Sequence, residues 1–438
     1  MRARLVTVLA ISAAAGAAPL AMPGVAGAAT PAGTVTSFGM GTYGQLGSGG
    51  TASSPVPLTV NGLGAVTAIA AGCFHSLAVT ADGAVWAWGL NQDGQLGDGS
   101  TIERHVPTRV AGLPGAVAGV AAGCHHSLAL TSAGQVWAWG ESAQGELGDG
   151  TQAVSQRATP VHVAALDALH VVRVVAGGQH SAAVTQDGAV YAWGDNRFGQ
   201  LGTGDAVQHN TPTRVAGLPS IGDVALGASH SLFVAVDHTL LAAGANNHGQ
   251  LGDGTTTARP TPVTVGHDVR QAAAGEGFSL AVTGAGTALA WGRGDTGQLG
   301  AAAAADRTTP AGIPGTGTVA LVTAGGRHAV AVTSAGGLLT WGDGGDGQLG
   351  DAGWGTRAAP ASLATISGVA AVAAGDGHTL VLTGTAVVPV AAEAQGTGGA
   401  VGVPNTSSAP AAVVIPAIAV MLLVLALRGR RRRSTPAR

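Results

Sequence analysis

Short apolar runs alternate along the chain with polar, glycine-rich stretches. His75 to Thr80 (His-Ser-Leu-Ala-Val-Thr) is closed by Ala81-Asp82-Gly83 and returns as Ala84-Val85-Trp86-Ala87-Trp88-Gly89. Two β-patterned runs joined at a glycine turn predict a hairpin. Val66 to Ala70 before it and Thr108 to Val110 after it predict two more strands, which makes four per repeat, the content of a propeller blade.

The pattern is periodic. Gly-Gln-Leu-Gly, once spelled Gly-Glu-Leu-Gly, begins at Gly44, Gly94, Gly145, Gly199, Gly249, Gly297 and Gly347, at intervals of 50, 51, 54, 50, 48 and 50 residues. After each copy comes Ala-Gly-x-x-His-Ser or a variant: His75-Ser76, His126-Ser127, His180-Ser181, His230-Ser231, Phe278-Ser279, His328-Ala329 and His378-Thr379. Seven units of this length predict an all-β, seven-bladed β-propeller built from repeats of about 50 residues. The copies are offset from the blades. Val35 to Gly39 carries the second half of a blade without a His half, and Val369 to Thr383 carries a His half with nothing after it. Pairing these N- and C-terminal strands completes the seventh blade and removes two exposed edges.

Side chains repeat with the blades. Trp88, Trp139, Trp193, Trp291 and Trp341 hold equivalent positions, with Phe38 and Ala243 at the other two. Spread around a ring, such residues predict core filling between blades rather than one aromatic cage. The histidines predict a hydrogen bond from imidazole to backbone in each blade. A metal at Cys124-His125-His126 is disfavoured because neighbours on a strand point to opposite faces. Cys73 and Cys124 occupy the same position of consecutive repeats and are a candidate disulfide, provided that their strand is an inner one where blades approach within about 7 Å. Arg104, Arg157, His209, Arg259, Arg307 and Arg357 form a further register after each Leu-Gly. In loops on a common side they would meet carboxylates or phosphates of a ligand, or else close salt bridges within each blade. Trp354 stands where other copies have small or polar residues and is a candidate interface anchor.

The combination Ala-Gly-x-x-His-Ser, Trp-Ala-Trp-Gly and Gly-Gln-Leu-Gly-Asp-Gly, as in Ala71 to Ser100, resembles the repeat of the regulator of chromosome condensation family, over roughly Val35 to Thr383. The resemblance implies a seven-bladed propeller. Its known members include a guanine-nucleotide exchange factor for a nuclear GTPase, chromatin binders and secreted bacterial β-lactamase inhibitors, so the fold transfers no single activity.

The chain ends narrow the choice. Residues 1–29 have the charged, apolar and small-residue regions of a secretory signal peptide. The propeller is expected over 34–384 and a flexible Ala/Gly/Pro/Ser stalk over 385–410. The uncharged apolar run 411–427 is expected to span a membrane, and the arginines of the tail 428–438 favour a cytoplasmic C-terminus with the propeller outside. Val403-Pro404-Asn405-Thr406-Ser407 resembles a Leu-Pro-x-Thr-Gly wall-sorting signal, which would be cleaved after Thr406.

Charge supports that division. The chain has no lysine, and eight of its 20 basic residues lie in the leader and tail, leaving 12 arginines against 23 acids, 12 − 23 = −11 for the remainder. An acidic body is a poor partner for nucleic acid and a good one for basic protein surfaces. No Gly-x-Ser-x-Gly elbow, phosphate loop or His-Glu-x-x-His helix is present, and Asp343 and Asp346 lie in glycine-rich turns. The expectation is a monomeric, cell-surface-anchored protein-binding scaffold of bacterial origin, without catalysis, cofactor or metal. The alternatives are an inhibitor of an envelope hydrolase of β-lactamase or penicillin-binding type, or an adhesive wall protein.

Overall fold

In the computed structural model, residues 33–151, 155–301 and 304–384 are described. The expected leader, stalk, span, tail and Thr406 lie outside them. Among the described residues no helix is long and apolar enough to cross a membrane.

The described residues form seven four-stranded antiparallel sheets arranged as a β-propeller. Blade 1 runs outward through Val66–Ala71, His75–Thr80, Val85–Gly89 and Arg104–Arg109, and blades 2 to 6 repeat this order. Blade 7 is completed from both ends of the chain: Val369–Ala374, His378–Thr383, Thr34–Gly39 and Ser54–Thr59 lie side by side. Thr34 pairs with Thr383 and the register runs without a slip to Gly39 opposite His378. The expected pairing of N- and C-terminal strands is therefore found.

Burial follows from position in the ring. Each second strand is flanked by neighbouring blades on both faces, so His75–Thr80 and His126–Thr131 are buried at every residue. Outer strands such as Arg104–Arg109 meet solvent and are only partly covered. This outer strand begins earlier than Thr108. The register shifts between Ala87 and Gly89, and Gly89, at φ 110°, sits opposite Arg104. A β-carbon at Gly89 would lie 2.5 Å from the Phe74 carbonyl oxygen, so only glycine allows this close approach. The repeated cations thus open the outer strands instead of occupying free loops.

Candidate functional site

A recurring polar network runs along the seams between blades. His75 Nε2 lies 2.8 Å from the Ser127 hydroxyl of the next blade, and that hydroxyl donates to the Gln95 carbonyl at 2.9 Å. Trp139 Nε1 donates to the same carbonyl at 2.8 Å. The arrangement recurs as His126–Ser181, His180–Ser231, His230–Ser279, His328–Thr379 and His378–Ser76. This corrects the expected bond to backbone within one blade: the partner is a hydroxyl one repeat away. Because each hydroxyl spends its single proton on a carbonyl, it accepts from the imidazole, and Nε2 must carry the hydrogen.

Nδ1 of all six histidines is buried with no hydrogen-bond partner. A β-carbon on Gly72 would lie 2.7 Å from His75 Nδ1, which explains the glycine of Ala-Gly-x-x-His by space alone. Burial pushes the imidazoles down, to about 3 for His126, His180 and His378 and to about 4 for His230 and His328, with His75 also well below the ordinary range. They are neutral structural links.

Cys124, His125 and His126 diverge. Cys124 is joined to Cys73 by a disulfide between adjacent blades, with Cα atoms 4.3 Å apart. His125 Nδ1 meets Asp93 at 2.8 Å, and His126 belongs to its seam. Among the described residues no group of three His, Cys, Asp or Glu is placed to hold a metal ion. Beside the cysteines in sequence, Phe74 meets Tyr43 edge-on at 5.5 Å and His125 at 6.2 Å.

The rim register is mostly engaged within blades. Arg104 Nε donates to Asp98 at 2.7 Å, Arg259 Nε to Asp253 at 2.9 Å and Arg157 Nη2 to Asp149 at 3.3 Å. Arg357 pairs with Asp351, and His209 lies 3.2 Å from Asp205. Burial opposes ionisation of Asp98, yet the Ser100 hydroxyl and Arg104 hold it below the usual carboxylate range. Arg307 differs: Ala301 stands at the position of Asp98, Asp149, Asp253 and Asp351, and Arg307 Nη1 is buried with no hydrogen-bond partner among the described residues. Trp354 is 53% exposed. Its loop is pinned by Ala352, at φ 65°, whose N–H donates to the Pro55 carbonyl of blade 7 at 2.8 Å.

Two features escaped the sequence reading. Glu146 replaces the repeated glutamine, is fully buried, and has its carboxyl pushed up to about 7 by burial, with Glu141 and Asp195 adding to the effect. Arg173 and Asp223, on the inner strands of blades 3 and 4, form a buried ion pair at 2.5 Å. The Gly-Glu-Leu-Gly spelling signalled the first. The cue to the second was that Arg173 and Asp223 hold the same inner-strand position of consecutive repeats.

The family model described as the RCC1-like domain matches residues 34–381. The ultraviolet-B receptor UVR8 of Arabidopsis thaliana is 30% identical over 185 residues, 41% of this chain and 42% of the receptor, so the match spans less than half of that relative. The solved structure of human WBSCR16 has a TM-score of 0.73 at 28% identity, covering 80% of this chain and 99% of that one. That of Prp20p from Saccharomyces cerevisiae has a TM-score of 0.72 at 25% identity, with 82% and 93% covered. With a match across the whole propeller, the chain belongs to the family of RCC1-like domains.

Proposed function

We propose that this chain is a non-catalytic protein-binding scaffold, exported and held at a bacterial surface with its propeller outward. The Prp20p structure is described together with binding to Gsp1p and histones, which supports protein binding as the use of such a ring. The carrying observation is Trp354, a half-exposed ring on a loop tied to the next blade. An ordered aromatic in solvent favours a partner that buries it, since such anchors dominate interface energies. Arg307, the register's one arginine without a carboxylate partner among the described residues, would add a charged contact. The leader pattern, the apolar run 411–427 and its flanking arginines support surface display.

The test compares wild type with Trp354→Ala in affinity capture from envelope extract, using the full-length protein. A partner retained by wild type and lost at least about tenfold in the variant supports the reading. Substrate turnover by the purified chain with no stable partner would replace it with an enzyme. The mass of the mature C-terminus separates the two modes of attachment: an end at Thr406 indicates wall sorting, and an intact Arg438 a membrane anchor.

A further inference from the structure

The connection from blade 2 to blade 3, residues 163–170, is eight residues long, against two to seven for the other inter-blade links. The extra length folds into the 3-10 helix Ala164–Leu169, which ends at His170 in the left-handed region, φ 49°. A non-glycine residue in that region is a sign that its surroundings impose the conformation. The helix packs against Val136–Glu141 of blade 2 and His209–Arg214 of blade 3. Together with the blade 3 hairpin it encloses an open cleft of about 630 Å³, lined by Leu169, His170, Asp187, Tyr191 and Arg214 among others. That volume lies within the usual range for small-molecule sites.

The polar groups of this cleft are arranged unlike an internal salt bridge. Arg214 sits directly opposite Tyr191 across the strand pair. Asp187 accepts from the Thr185 hydroxyl, which with the Ala189 N–H and the more distant Arg214 keeps its carboxyl below the usual range. Both accepted bonds fall on Oδ1. Among the described residues Asp187 and Arg214 form no ion pair with each other, and Arg214 donates no hydrogen bond. Two opposite, solvent-exposed charges therefore line one cleft without an ion pair between them. A purely anionic ligand on Arg214 would be repelled by Asp187, and a purely cationic one on Asp187 by Arg214. A ligand carrying both charges satisfies both, with an apolar group against Tyr191 and Leu169.

Blade 1 supplies an internal control. Asp82, Trp86 and Arg109 repeat the same strand positions, but the link before Val66 holds only six residues and no helix. Blades 1 and 3 thus share the charged pair, and the longer link with its helix distinguishes blade 3.

The geometry points to a binding site for a free α-amino acid with an apolar side chain, its carboxylate on Arg214 and its ammonium on Asp187. It is independent of the partner surface at Trp354. The test is calorimetric and saturation-transfer titration of the full-length protein with L-phenylalanine, 3-phenylpropionate and phenethylamine. Saturable binding of L-phenylalanine is expected, weakened at least about tenfold for each analogue lacking one charge. Arg214→Gln and Asp187→Asn should each lose binding by a similar factor, with melting midpoints near wild type, whereas Arg109→Gln should bind as wild type does. No saturation by L-phenylalanine up to about 20 mM, equal binding of the analogues, or equal losses in Arg109→Gln and Arg214→Gln would overturn the assignment.

Discussion

The seam between blades 1 and 2 and the seam between blades 5 and 6 occupy the same place in the ring and are filled by opposite chemistry. In the first, His75 donates to Ser127 and Ser127 to the Gln95 carbonyl. In the second, Phe278 and Ala329 take those two positions and lie buried in one apolar cluster. The tryptophan is common to both, with Trp139 Nε1 bonded to Gln95 and Trp341 Nε1 to Gln298 at 2.9 Å. Histidine and hydroxyl have changed together. Removing one partner of a buried hydrogen bond strands the other, while replacing both by apolar groups is nearly neutral. The polar relay is therefore a unit, replaceable as a pair and costly to break singly.

The largest expected effect sets six polar seams against the apolar one. Each buried imidazole is depressed from an unfolded value near 6.5, so the unfolded chain binds protons that the folded ring refuses. The stability they represent is full above about pH 6.5 and is lost as pH falls toward 4, at about 1.4 kcal/mol per unit per histidine, or roughly 8 kcal/mol per unit for six. Denaturant titrations at stepped pH should show uptake of about six protons on unfolding, and the double change Phe278→His with Ala329→Ser should add one. A flat profile between pH 6.5 and 4.5 would break the comparison.

Next come the shared tryptophans. Trp139→Ala and Trp341→Ala should each cost about 3–5 kcal/mol by thermal or denaturant unfolding, because this part of the seam is the same in both. A much smaller loss at Trp341 would mean that the apolar seam packs by a different principle.

Smaller again is the relay itself. Ser127→Ala should cost about 1–3 kcal/mol by leaving His75 Nε2 unpartnered, and adding His75→Phe should recover part of that loss. Strict additivity in this cycle would dissolve the idea of a unit.

The smallest effect concerns the seam between blades 2 and 3, where Glu146 stands in for glutamine. A raised carboxyl favours folding fully below its unfolded value near 4.5, and that contribution is lost as pH rises through about 7. Glu146→Gln should therefore stabilise by about 1–2 kcal/mol at pH 8 and by almost nothing at pH 4. Equal stability of the two proteins at pH 8 would show that the carboxylate finds compensation.

Much of this architecture was legible because it repeats. Interval length gave seven blades, the split His and Trp-Gly halves gave the closing of blade 7, and recurring tryptophans gave the core. The histidine partner is not legible within a single copy, because a seam joins one copy to the next. The clue was present in Phe278 and Ala329, which depart from the pattern in consecutive repeats. The rim cations lie in strands because the glycine that recurs in each blade, Gly89 in the first, makes a bulge bringing Arg104 into register; the glycine is periodic, but the pairing it permits is a property of the fold. The cleft beside His170 depends on how a slightly longer link folds, and length alone does not say that it encloses space.

Two-bond proton–nitrogen NMR of the side chains of His75, His126, His180, His230, His328 and His378 at pH 5.5 tests the inter-blade relay most directly. The account predicts six neutral imidazoles with hydrogen on Nε2. Imidazolium signals at these positions, or hydrogen on Nδ1, would contradict it.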